Sequence, residues 1–176
     1  MIMRPGQRLL MPVNPSFVWA SLVGALLVHM VANMLLWGRA AWAPDVLSIV
    51  LVFWTVHQTR RVGMATAFVT GLLIDVYQAG LLGQHALTYT VLSYLAIAVH
   101  RRLRWFSVTE QALQVFPLFV LAHALEALLS VLAGAGLPGW WAVLAPVVEA
   151  TLWPPVSLVL LAPQRRAPDP DENRPL

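Results

Sequence analysis

Residues 63–87 read G-M-A-T-A-F-V-T-G-L-L-I-D-V-Y-Q-A-G-L-L-G-Q-H-A-L. The stretch is mostly apolar, yet a carboxylate, Asp75, is set well inside it. Gly63, Ala67 and Gly71 precede Asp75 at intervals of four, and Ala79 follows it. Residues four apart share one face of a helix, so a column of small side chains runs up to an acid. Such columns let helices approach closely in lipid, and a charge at that depth marks a partner or a function. Gly80 and Gly83 are expected to break the helix and start a tight return.

The wider composition sets the solvent. The 176 residues are 59% hydrophobic and 11% charged, against about 25% charged in soluble domains. The chain is therefore expected to be an integral membrane protein of one domain. It has no cysteine, which excludes disulfides, thiolate zinc sites and cysteine nucleophiles. All eleven basic residues are arginine, a bias consistent with a GC-rich bacterial genome. The net charge of +3 calls for no nucleic acid, because arginines at helix ends account for it.

Six apolar runs follow in order. Residues 1–16 form a basic, proline-bearing arm; Phe17 to Trp37 is long enough to span a bilayer, and too long for a signal-peptide core, so it reads as an uncleaved helix. The second run, Asp45 to Val56, is short; taken from Trp42 to His57 it just reaches across. Pro44 suits a first helical turn, and Asp45 the positive end of the helix dipole. The third run is Gly63 to about Ala79. The fourth, His85 to Val99, is rich in hydroxyls and ends at Arg101, Arg102 and Arg104. Ser107 or Thr109 caps the fifth, Glu110 to Ala133. The sixth, Trp140 to Ala162, is expected to be interrupted by Pro146 and by the pair Pro154-Pro155. Residues 163–176 form a proline- and charge-rich tail, expected to be disordered. The membrane domain is thus 17–162, an all-α bundle of six transmembrane helices. Trp37, Trp42, Trp105, Trp140 and Trp141 read as interface anchors.

Arginine placement orients the bundle. With both termini in the cytoplasm, the inside segments hold two, two, three and three arginines and the outside segments only Arg39. That split is what the positive-inside rule predicts.

Polar groups inside the apolar runs are the candidate site: His29 with Asn33, Asp75, His123 with Glu126, and Glu149. They are open to a proton or cation pathway. The structural reading has them pair with one another and with the hydroxyls of the fourth helix. Depth suggests Asp75 with Tyr89 or His85, and Glu126 with His29. His123-x-x-Glu126 is half of a di-iron motif whose second half is missing, so no metal and no cofactor are expected. No phosphate loop, nucleophile elbow or zinc-protease motif is present, and nothing points to an enzyme.

The central stretch also carries a resemblance. Gly71-Leu72-Leu73-Ile74-Asp75, then Gly80, then Leu82-Gly83-Gln84-His85-Ala86-Leu87 resembles the signature of the bacterial rod shape-determining MreD family. Pro44-Asp45, followed by a run ending in Phe53-Trp54, resembles that family's second helix. One departure is the turn His57-Gln58-Thr59-Arg60-Arg61, where many relatives carry proline. The resemblance implies a fold similar to the six-helix substrate-binding subunits of energy-coupling-factor transporters. It implies a non-catalytic inner-membrane component of the wall-elongation complex that partners MreC, with MreB filaments, RodA and a transpeptidase in the same assembly. By this reading Gly71 and Gly83 are structural, and Asp75 is the residue whose loss most affects assembly. The small column would dock a helix either within the bundle or from MreC. Two other functions remain in competition. A vitamin-transporter subunit needs an outward pocket and a lid, and the loops at 38–44, 80–84 and 134–139 are short. A small proton-coupled carrier would use the buried acids and histidines, and lacks an internal repeat.

Overall fold

The element that holds the others in place is the shortest helix, α2 (Val46–His57), in which every residue from Leu47 to Val56 is buried. A helix that is hydrophobic all round belongs in the middle of a bundle, and α2 sits there. Around it pack α1 (Pro15–Ala32), α4 (Gln84–Leu103) and α6 (Leu144–Leu161). The helix α3 (Met64–Gln78) lies outside, against α4, and α5 (Val108–Leu132) bridges α4 and α6. These coordinates are a computed structural model, and the structure describes residues 14–37, 40 and 42–164. Most of the basic arm, Gly38, Arg39 and nearly all of the tail lie outside the described residues.

Six α-helices are present among the described residues, with no strand. Three segments are long and apolar enough to cross a membrane: 15–36, 108–132 and 140–164. The second run departs from expectation. Asp45 is the N-cap of α2, its side chain accepting from Ser48 N–H at 3.0 Å, so the helix starts at Val46 and Pro44 precedes the cap. Twelve residues rise about 18 Å at 1.5 Å each, short of a hydrocarbon core of about 30 Å. The helix does not reach across by itself; its neighbours cover it instead.

Ends follow local chemistry. Asn14 caps α1, and Pro15 opens it where a missing N–H costs nothing. Beyond Ala32 the helix widens into a π turn at Asn33–Trp37. Ser107, rather than Thr109, caps α5 through a capping box with Glu110. The left-handed residue ending α3 is Ala79, at φ 49°, rather than Gly80. Gly83, at φ +97°, is the turn glycine that conformation demands, and it caps α4. Helix α6 does not break at Pro146 or at Pro154-Pro155 but runs unbroken from Leu144 to Leu161. Neighbouring helices make such prolines tolerable within a membrane.

Away from the loops between α1 and α2, α3 and α4, and α5 and α6, indoles and hydroxyls tie the helices together. Trp54 Nε1 donates to Ser21 Oγ at 2.7 Å, Trp153 Nε1 donates to Gln111 Oε1 at 3.3 Å, and Thr55 and Ser93 share a bond of 3.2 Å. Phe53 packs edge-on to Trp54 with centroids 5.1 Å apart. Outward faces are greasy: Val23, Leu27 and Val31 on α1 and Phe68, Leu72 and Val76 on α3 are exposed. A soluble chain rarely leaves contiguous apolar faces open, and lipid is the solvent that suits them.

Candidate functional site: an acid–imidazole network across six helices

The polar side chains of the apolar runs converge at the arginine-poor end of the bundle. Asp75, in the last turn of α3, is 1% exposed. Its carboxylate reaches across to the start of α4, where it accepts from the backbone N–H groups of Gly83 and His85 at 2.8 Å each and of Ala86 at 3.2 Å. A helix leaves its first N–H groups without intrahelical partners, and here the preceding helix supplies the cap. The positive end of the α4 dipole offsets the acid's charge.

Close approach of the two helices makes this reach possible. A Cβ built on Gly71 would lie 2.5 Å from Ala86 Cα and 2.6 Å from His85 O, so only glycine fits. Ala67, Gly71 and Asp75 are buried on the same face, and the column therefore meets α4, inside the bundle. Gly63 is the N-cap of α3, where a Cβ would meet only Thr59 O at 3.8 Å, and a Cβ on Gly80 would meet nothing.

From Asp75 the network runs outward through α4 and α5. His85 Nδ1 lies 2.8 Å from Asp75 Oδ1, and its Nε2 lies 3.2 Å from Glu126 Oε1. His123 Nδ1 is 3.7 Å from Glu126 Oε2, and its Nε2 is 2.8 Å from Glu149 Oε1. Glu149, 1% exposed on α6, also accepts from Asp45 N–H at 2.9 Å. Asp45 then accepts from the Tyr89 hydroxyl and faces His29 Nδ1 at 3.1 Å, too poorly aligned for a hydrogen bond. His29 Nε2 is 2.9 Å from Asn33 Nδ2. Every one of the six helices contributes, with Asp45 entering as the cap of α2.

Charge accounts for why so many ionisable groups tolerate one site. His85 has a carboxylate at each ring nitrogen, as does His123. The acids thus face imidazole nitrogens rather than one another, while Asp45 and Asp75 cap the positive ends of α2 and α4. Two atoms of the network, Glu149 Oε2 and His29 Nδ1, are buried with no hydrogen-bond partner among the described residues. Among the described residues, no group of three or more His, Asp or Glu is placed to hold a metal ion.

The pairings expected from depth are partly rearranged. Asp75 takes His85; Tyr89 goes to Asp45 instead. Glu126 takes His85 and His123, and His29 takes Asp45. Depth alone does not give the angle around a helix, and α1 does not pack extensively on α5. Sequence reasoning did not single out Gln84, whose amide donates to Glu126 O at 3.2 Å and Ser130 Oγ at 2.8 Å. It also passed over Tyr77, whose hydroxyl donates to Met30 O at 2.9 Å. The available signal was that each lies within a turn of a helix end at the same side of the membrane.

Above the network is a cavity of about 970 Å³. Its polar side is formed by His29, Asn33, Asp45, His85, His123 and Glu126.

Comparison with known proteins places this architecture. The family model of rod shape-determining protein MreD matches residues 11–162. The chain is 25% identical over 150 residues to the rod shape-determining protein MreD of Haemophilus influenzae, covering 84% of this chain and 93% of that one. No solved structure matches. With the match running from before α1 to the end of α6, the chain belongs to the MreD family of rod shape-determining membrane proteins.

Proposed function

We propose that this chain is a non-catalytic scaffold of the wall-elongation complex in the bacterial inner membrane, with both termini in the cytoplasm and MreC as its direct partner. MreB filaments, RodA and an elongation transpeptidase complete the assembly. One observation carries the reading: the buried ionisable groups engage one another across all six helices. Such a network holds a shape, since removing one member leaves its partners buried and unpaired. The orientation is supported by the ten arginines of the inside segments against one outside. With the small column turned to α4, a helix of MreC meets the bundle on another face.

The test is depletion in the host with imaging of cell width. Rods that swell toward spheres while protein synthesis continues are expected; rods that keep their shape would sink the scaffold reading. At the molecular level, Asp75→Ala is expected to lower the amount of complex recovered with MreC. Recovery equal to wild type, at equal protein level, counts against it.

The cavity favours a second reading, a vitamin-transporter subunit of similar six-helix fold. Its walls supply the polar and aromatic groups such a pocket needs, among them Tyr77, Phe116 and Trp140. Growth rescue of depleted cells by a vitamin would select it.

A further inference from the structure

The cavity lies between helices that do not seal against one another. Its lining comes from α1 and α3 on one side and from α5 and α6 on the other. Helix α1 packs chiefly on α2, and α3 on α4. Beside His123 and Glu126, the α5–α6 side carries an apolar stretch of Phe116, Val120, Val143 and Val147. An amphiphile therefore suits the space better than a wholly polar solute.

The polar side selects the head group. The imidazole and phenol groups on that side already have partners. Both ring nitrogens of His85 face carboxylates, as do both of His123; His29 faces Asp45 and Asn33. The Tyr77 hydroxyl donates to Met30 O. Acceptors remain. Glu126 is 30% exposed, and each of its oxygens has one imidazole neighbour, while a carboxylate accepts about four hydrogen bonds. Among the described lining residues there is no arginine, and the chain has no lysine. Among the described lining residues, a phosphate or carboxylate entering here meets spare acceptors and no arginine or lysine. A primary ammonium meets an acceptor it can bond, with charge assistance.

We propose that this cavity binds a primary-amine phospholipid from the surrounding bilayer, its ammonium on Glu126 and its hydrocarbon along Val120, Val143 and Val147. The phosphodiester stays toward the open mouth, in water. A choline head fails because a quaternary nitrogen has no N–H to donate. A glycerol head fails because it brings an anion without a cation. The inference does not depend on the scaffold role, and its test involves neither MreC nor cell shape.

The experiment is native mass spectrometry of the full chain in micelles, exposed to equal amounts of phosphatidylethanolamine, phosphatidylcholine and phosphatidylglycerol of matched acyl chains. One bound phosphatidylethanolamine is expected, favoured about tenfold or more, as for one charge-assisted hydrogen bond. In Glu126→Gln that preference is expected to fall to within about twofold, as the charge assistance goes. Ala124 lines the cavity and is exposed, so Ala124→Trp fills the space without entering the core. It is expected to abolish lipid retention with an unchanged unfolding temperature, and it carries the test if Glu126→Gln does not fold. Equal retention of the three lipids by the wild type overturns the proposal. So does an undiminished preference in folded Glu126→Gln, or undiminished retention in Ala124→Trp.

Discussion

At the scale of single residues, two glycines that look alike in the sequence, Gly71 and Gly80, do different work. Gly71 is held against backbone atoms of α4, which cannot yield as a side-chain tip can. Gly71→Ala is expected to push α3 from α4 and cost about 1–3 kcal/mol, the range of overpacked cores. Gly80→Ala, with open space around it, is expected to stay within about 0.5 kcal/mol, as at ordinary surface sites. Unfolding of both variants in micelles against denaturant measures the difference, and equal stabilities would refute the close-approach argument. The spacing of Gly63, Ala67, Gly71 and Asp75 was legible because it is a matter of period alone. Which member of the column is indispensable was not, because that depends on where Ala86 of the next helix arrives. The same holds for Asp75. Its depth marked it as partnered, but only the fold of the return loop shows three backbone N–H groups converging on it.

At the scale of elements, α2 shows how a segment too short to span is made a centre. Its apolar residues are buried on every side, so its stability comes from α1, α4 and α6 rather than from lipid. Leu51, fully buried on α2, is expected to cost about 2–5 kcal/mol when cut to Ala. Leu73, half exposed on the lipid side of α3, is expected to cost less than about 0.5 kcal/mol on the same change. If chemical denaturation finds the two equal, α2 is not the core. Hydropathy located this run, but it does not distinguish a helix buried by protein from one buried by lipid, since both read as apolar. The paired prolines of α6 were misread for a related reason. Pro154-Pro155 would stop a helix in water, yet α6 continues, with Trp153 packed beside Phe53 and Phe119. Tertiary packing holds the turn that local propensity would open.

At the scale of the whole molecule, the network and the arginines divide the bundle into two ends with opposite chemistry. His29, Asp45, Asp75, His85 and Glu149 each lie within a turn or two of a helix end adjoining 38–45, 79–84 or 134–143. His123 and Glu126 reach the same level from α5, through their contacts with His85 and Glu149. The other end carries Arg60, Arg61, Arg101, Arg102 and Arg104. Alternation of six helices made this division legible in the sequence; the rotation of each helix, and so the cavity, was not. The division sets the direction in which the cavity opens. If the positive-inside rule governs the chain, the cavity faces away from the cytoplasm. Because the chain has no cysteine, single cysteines report on this without background. Leu137, 83% exposed between α5 and α6, is expected as Leu137→Cys to react with an impermeant maleimide in intact spheroplasts. Ser107→Cys, at the exposed cap of α5, is expected to react only after the membrane is opened. The reverse pattern would turn the bundle over and place the acid–imidazole network on the cytoplasmic side.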